Sequence, residues 1–487
     1  MSNPQLCSCD DRVIDCSRKD LDKMPPLKPG TSYSQRELTV WGNNISVIND
    51  WELAHNLQKM YFGEHFLTAV ADHAFIYSAK SLQSLRFSST NLTSLPWALT
   101  DLSSLVCLHL DNNPVLTWNT TVLASIGASL KELRLSRLTM PIFPDWLELL
   151  SKLDTLTIEG VDFSQLSSTL LDPSASHIKR LEFRNSNLTK IPQEVALFPD
   201  LTVLDLMSNS ISDLSNLKDL KLSRNLSELN LHSNHIDNIG PLFYLNGIEK
   251  LWVSSNRICD HKHIPYALIP HEMSLTYIYL YSNCLTQIPD LLFMSELKSL
   301  DLSSNNITAP YSGSFPMSLI SLLLSSNVLT TIPESISNLP NLYTLTLSMN
   351  KIKSIAEFLF PSSLTHLEIT DNDIEVIPSL KFSNNISKLE TIYLSENPIK
   401  TIADDAFTNL HELRSLFLEQ THLVRLPTAL LALKQLNTLF LSHTFTCSCD
   451  DMAFTTWYQN LTYLVGKCNG TDLSHMLDQL PSQCPVS

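Results

Sequence analysis

The sequence predicts an α/β solenoid: a curved stack of parallel strands in which each turn of the coil adds one strand to a single sheet. Three observations carry this. A leucine-patterned unit recurs along most of the chain, an asparagine stands at one fixed place in most units, and cysteines gather at both ends.

The unit reads LxxLxLxxNxLxxL. Leu319, Leu322, Leu324, Asn327, Leu329 and Ile332 fit it fully, as do Leu342, Leu345, Leu347, Asn350, Ile352 and Ile355. About 18 units follow one another, from Gln35 to the unit that begins at Leu436, with a mean period of about 23.6 residues. This is the pattern of a leucine-rich-repeat solenoid, a horseshoe with a parallel sheet on its concave side. In the LxL core the leucines point inward and the residues between them point out, and each strand pairs with its counterpart about 4.8 Å away. One unit cannot bury its leucines alone, so stacking supplies the core.

The asparagine closes the turn after the strand, and its amide suits a buried ladder of hydrogen bonds to backbone groups. It is present as Asn43, Asn113, Asn209, Asn234, Asn256, Asn283, Asn305, Asn327, Asn350, Asn372 and Asn397. His65, Thr90, Leu138, Val161, Ser186, Thr421 and Thr444 replace it elsewhere. Leu138 and Val161 cannot make the bond, so a looser stretch is expected around those two units.

The 487 residues carry a formal charge of −16, which disfavours nucleic acid and anionic lipid as partners. Ten glycines and no GxGxxG or GxxxxGK[ST] run argue against a phosphate-loop fold. No apolar run reaches the roughly 18–20 residues that span a bilayer. The start, Met1 to Leu6, has neither the basic nor the apolar part of a signal peptide, so a leader upstream is expected.

That expectation comes from the cysteines and from nine N-x-[ST] sequons: Asn44, Asn91, Asn119, Asn187, Asn225, Asn306, Asn385, Asn460 and Asn469. Terminal cysteine clusters in a long chain indicate stapled caps and an oxidising compartment. A raw end of such a stack exposes leucines and strand edges, so caps are needed. The boundaries expected are a cap over 1–34, repeats over 35–445 and a second cap over 446–487.

Cys7, Cys9 and Cys16, followed by Leu21, Pro25, Pro26 and Leu27, resemble the cysteine-rich N-terminal cap of extracellular leucine-rich-repeat proteins. The fourth cysteine of that family is absent, which leaves the partner of Cys9 open. Cys447-Ser-Cys449-Asp450, then Phe454, Trp457, Cys468 and Cys484, resemble the C-terminal cap of Toll-like receptor ectodomains. The resemblance implies Cys7–Cys16, Cys447–Cys468 and Cys449–Cys484 pairs, with Phe454 and Trp457 packed over the last repeat. Inside the array, Cys259 and Cys284 follow the asparagines of adjacent units, so stacking makes a disulfide between them plausible. Cys107 reads as a free thiol.

Candidate binding residues follow from the register. Trp252, Tyr279, Leu323, Tyr393, Phe417 and Phe440 stand between core leucines on the concave side, flanked by Tyr277, Tyr281 and Tyr343. Tryptophan and tyrosine are enriched in binding hot spots, although aromatics favour strand surfaces in any case. Arg86, His109, Arg134, Arg180 and Arg184 form an apparent positive strip on the same face, in which Glu182 and Glu159 could neutralise Arg184 and Arg180. The unit from Ile248 is the longest, at 27 residues, and its insert carries His261, His263 and His271. A His-x-His in a loop is usually solvated, so no metal is expected. No catalytic set and no cofactor emerge.

The expected function is non-catalytic recognition of a protein or glycan on the concave face. It would serve receptor-like innate immune or cell-surface signalling, in secreted or surface-bound form, with a homo- or heterodimer allowed. The alternatives are a matrix, adhesion or guidance protein of the same architecture, or a secreted protein inhibitor.

Overall fold

The computed structural model describes residues 7–9, 12–25, 36–64, 66–115, 117–138, 145–162, 177–218, 224–383, 387–442 and 445–484. Residues 1–6, Pro26, Leu27, Gln35, His65, Asn385, Thr444 and the side chain of Cys9 lie outside the described residues. The chain forms two compact units: Met1–His235 with Tyr244–Asn246, and Ile236–Phe243 with Gly247–Ser487.

Each of the 18 repeats contributes one strand, nine to each unit. In the first unit the repeat strands run from Glu37–Trp41 to Glu228–Asn230, and in the second from Lys250–Trp252 to Thr438–Leu441. Within each unit neighbours pair in parallel and in register. Leu300 opposes Leu322, which opposes Leu345 and then Leu367. Those leucines are at most 1% exposed. Burying each is worth roughly 1.5–3 kcal/mol. The residues between them stay half-exposed, as the period of two demands.

The turn after the strand depends on a residue that the repeat pattern does not mark. The position just before the ladder residue takes a left-handed backbone in unit after unit: Gly42 (φ 58°), Ser208 (57°), Ser304 (52°), Ser326 (56°) and Met349 (56°). Such a conformation costs a non-glycine residue roughly 1–2 kcal/mol. Hydrogen bonds along the stack offset it. Ser326 N–H donates to Ser348 O (2.8 Å) and Val328 N–H to Ile307 O (3.0 Å).

The asparagine then links two units. Asn327 Nδ2 donates to Leu302 O (3.0 Å) in the preceding unit and to Leu324 O (3.1 Å) and Ser325 O (3.3 Å) in its own. Its Oδ1 accepts from Ile307 N–H (3.0 Å). The amide also shapes the strand. Strand pairs from Glu37–Trp41 to Arg180–Arg184 are five residues long. Those from Val203–Asp205 to Thr391–Tyr393 are three. From Asn209 onward the amide takes the carbonyl three residues back, that of the second core residue, as Asn209 does from Leu206 (2.9 Å). Asn43 and Asn113, on five-residue strands, instead take the carbonyl two residues back. Where threonine stands in for asparagine, at Thr421, the strand pair has four residues.

The expectation of a looser stretch at Leu138 and Val161 does not hold on the strand side. Glu132–Ser136, Thr155–Glu159 and Arg180–Arg184 pair over five residues each. Backbone groups replace the missing amide. Arg137 (φ 50°) and Gly160 (φ 65°) make the same left-handed turn, and donate to Glu159 O (2.7 Å) and Arg184 O (2.9 Å). Leu138 and Val161 sink into the core instead, 5% and 2% exposed. The return segments of these units, 139–144 and 163–176, lie outside the described residues.

Segments at both ends of the repeats add strands to the sheet. Val13–Asp15 pairs in parallel with Glu37–Trp41, putting Ile14 opposite Leu38, and carries Ser8–Cys9 antiparallel on its other edge. Cys7 is bonded to Cys16. At the far end Tyr463–Val465 pairs with Thr438–Leu441. Cys447–Cys468 and Cys449–Cys484 bind the C-terminal segment together, with the helix Leu473–Gln483 running up to Cys484. Phe454 and Trp457 are 2% and 8% exposed. The Trp457 indole N–H reaches Leu433 O at 3.3 Å, which ties this segment to the return segment of the last repeats.

Candidate functional site

Side chains that point out from neighbouring strands form rows at the strand spacing, so each row residue meets its counterparts one strand away. In the first unit these rows are ionic. Arg86 Nε lies 2.8 Å from Asp111 Oδ2, and Arg134 Nη2 lies 2.6 Å from Glu159 Oε2. Asp111 also faces Arg134 Nε at 3.7 Å. His109 pairs with Glu132 at 3.0 Å. Arg184 reaches Asp205 at 2.7 Å and Glu182 at 3.2 Å, and Arg180 reaches Glu182 at 3.4 Å. Burial lowers the affinity of the Arg184 guanidinium for its proton, but Asp205, Glu182 and Glu159 outweigh that and raise it overall.

The strip that looked positive in sequence is therefore charge-compensated. Each arginine has a carboxylate on an adjacent strand or two residues along its own. The register also reveals a contact that the repeat pattern could not: the Arg86 guanidinium lies 5.7 Å from the Trp41 ring centroid, two strands away. Gly63, on the strand between, permits this. A Cβ there would come within 2.3 Å of the indole.

In the second unit the middle row is aromatic at both ends. Trp252 and Tyr279 stack with centroids 5.6 Å apart and planes 8° off parallel. Tyr277, on the same strand as Tyr279, is 38% exposed, and Tyr281 follows two residues on. Burial, then the nearby Tyr277 and Asp301, hold the Tyr279 hydroxyl proton more tightly than usual. Asp301 and Leu323 continue the row on the next two strands. Leu323 thus stands two strands from Tyr279. At the other end Tyr393, Phe417 and Phe440 stack in sequence, at 4.4 and 5.2 Å. Tyr343 meets His366 at 5.3 Å.

The histidines of the insert diverge. His263 Nδ1 is 2.6 Å from Asp260 Oδ2 at the surface. The Lys262 backbone N–H and, less strongly, His263 hold that carboxyl below the usual carboxylate range. His271 is buried: its Nδ1 accepts from Ile248 N–H (3.2 Å) and its Nε2 donates to Leu242 O (3.3 Å). Among the described residues no three His, Cys, Asp or Glu side chains gather so as to hold a metal ion. Cys259 is bonded to Cys284 across adjacent units. A cleft of about 380 Å³ beside this disulfide is lined by Asp237, Arg257, Asp260 and His263, among others. The thiol of Cys107 is not in a disulfide. All eight sequon asparagines among the described residues are exposed: Asn44, Asn91, Asn119, Asn187, Asn225, Asn306, Asn460 and Asn469. No helix among the described residues is long and apolar enough to cross a membrane.

A family model described as "Leucine rich repeat" matches residues 295–352, 362–423 and 387–445. The chain carries leucine-rich repeats and their solenoid fold. Transforming growth factor beta activator LRRC33 of Danio rerio is 26% identical to this leucine-rich-repeat chain over 429 residues, covering 82% of this chain and 60% of the relative. Podocan of Mus musculus is 31% identical over 218 residues, 43% of this chain and 35% of podocan. Toll-like receptor 2 of Boselaphus tragocamelus is 23% identical over 345 residues, 64% of this chain and 42% of the receptor. The leucine-rich-repeat chain thus spans less than two thirds of the length of each of these relatives. Among solved structures, a Leptospira interrogans LRR protein aligns with a TM-score of 0.58 at 23% identity, covering 82% of this chain and 93% of that one. The mouse RP105/MD-1 complex aligns at 0.55 with 18% identity, covering 93% and 94%. These likenesses show the leucine-rich-repeat fold.

Proposed function

We propose that this chain is a non-catalytic recognition ectodomain that binds a protein partner on the sheet face of its second unit, in receptor-like innate immune or cell-surface signalling. The observation that carries the reading is the stacked Trp252–Tyr279 pair flanked by Tyr277 and Tyr281, on a face whose neighbouring leucines already fill the core. A rigid sheet presents these rings at little ordering cost. The name of the Danio rerio relative links that protein to a protein growth factor, which supports a protein partner here. Four disulfides support an extracellular setting, as do eight exposed sequons. We infer caps over 1–34 and 446–487 on the same grounds.

The test is a pull-down from extracellular fluid with the purified chain, followed by affinity measurement on the captured partner. The Trp252→Ala, Tyr279→Ala double variant should lose about 30-fold or more in affinity, the scale of one hot-spot truncation. Its thermal midpoint should stay near that of the wild type. Unchanged affinity in a folded variant would remove this face from the reading.

A further inference from the structure

The charges of the two sheet faces differ in a way that the repeat pattern does not foretell. In the first unit every arginine of the rows lies within ion-pair distance of a carboxylate. In the second unit, segments 365–371, 390–396 and 414–420 carry Glu368, Asp371, Glu390, Glu396 and Glu419 against Arg414 alone among lysines and arginines. None of these side chains takes part in an ion pair among the described residues. An acidic rim of this kind calls for positive charge from outside the chain.

The aromatic stack beside it shows where one such charge would sit. Phe417 is sandwiched, with Tyr393 on one face and Phe440 on the other. Among the described residues Tyr393 is stacked on one face, by Phe417. Its other face turns toward the strand His366–Glu368, where Glu368 is its register partner. Glu368 Oε1 accepts from Ser348 Oγ (3.0 Å), on the side away from Tyr393. Tyr393 remains 37% exposed. A π-face with a carboxylate beside it is a seat for a cation, because the ring quadrupole and the anion attract the same charge.

We propose that this part of the sheet receives a basic segment of a protein partner, with one arginine head group laid on the open face of Tyr393 and Glu368 as its counter-ion. The planar guanidinium suits a flat ring better than an ammonium does. Asp371, Glu396 and Glu419 follow just beyond the ends of these strands and would attract the flanking basic residues. Five strand steps separate Tyr393 from Tyr279, so the seat and the Trp252–Tyr279 patch can fail independently.

The probe is a hexa-arginine peptide with a fluorescent end, titrated by anisotropy against the purified glycosylated chain at 50 and 300 mM salt. Tyr393→Ala and Glu368→Gln should each weaken binding about three- to tenfold. Tyr393→Phe, which keeps the π-face, should bind like wild type. Glu334→Gln, an exposed acid on the short helix Glu334–Asn338, should stay within twofold, as should the Trp252→Ala, Tyr279→Ala variant. The proposal is overturned if the peptide does not bind, if Tyr393→Ala leaves affinity unchanged, or if Glu334→Gln costs as much as Glu368→Gln, which would mean diffuse attraction to an acidic protein.

Discussion

Replacing Asn327 by alanine would cut one rung of the ladder and leave its neighbours in place. Four hydrogen bonds go: three from Nδ2, to Leu302 O, Leu324 O and Ser325 O, and one into Oδ1 from Ile307 N–H. Asn327 is 7% exposed, and Leu302 and Ile307 are fully buried, so water cannot readily replace the two bonds that cross between units. Each bond is worth about 1 kcal/mol net, and a buried group left unpaired costs about 1–3. The expected loss is about 2–4 kcal/mol, local to the units that meet at Asn327. A solenoid confines such damage to neighbouring units, so a single melting temperature is a blunt readout. Hydrogen exchange by mass spectrometry reads it directly. The Ile307 amide should exchange about 30- to 700-fold faster, the same energy at tenfold per 1.4 kcal/mol. A peptide from the Thr428–Ala432 segment should not change. Asn327→Thr should recover part of the protection, because Thr421 in the equivalent place donates to Leu418 O at 3.1 Å. If Ile307 exchanges within threefold of wild type in the alanine variant, the amide ladder does not hold the units together.

Three further outcomes follow from the same geometry. Burial depresses the His271 pKa from 6.5 to about 4, so the native state holds the neutral ring while the unfolded chain gains a proton first. Its contribution to stability is complete above pH 6.5 and falls away between 6.5 and 4, by roughly 3 kcal/mol; urea midpoints of wild type and His271→Gln should converge as the pH drops through that window. Burial, with Glu132 beside it, pushes the Cys107 thiol up to about 11. At pH 7.5 iodoacetamide should therefore label it about a hundredfold more slowly than an ordinary cysteine, and rapid labelling of the folded chain would contradict this environment. Arg184→Ala strands the nearly buried carboxylate of Asp205, while Glu182 keeps Arg180, and should cost about 1–2 kcal/mol after allowance for the exposure of the guanidinium. The Arg184→Ala, Asp205→Asn double variant should recover part of that loss.

The sequence by itself determined the repeat, its register and the number of strands. A leucine spacing that alternates in and out can bury its side chains in only one way, so LxL by itself places Leu322 and Leu324 inward and Leu323 outward. The same register placed Trp252, Tyr279, Tyr393, Phe417 and Phe440 on one face. Pattern alone could not say which rings stack face to face and which keep a face open, since that depends on side-chain directions across separate strands of the sheet. Nor could it show that Arg86 and Arg134 share Asp111, that Gly63 lets Trp41 reach Arg86, or that backbone groups around Arg137 and Gly160 hold a turn that Leu138 and Val161 cannot. Those outcomes belong to the tertiary structure, because charge pairing and hydrogen bonding act over a few ångströms between units. The chain order fixes which units are neighbours, and only packing fixes how their side chains meet.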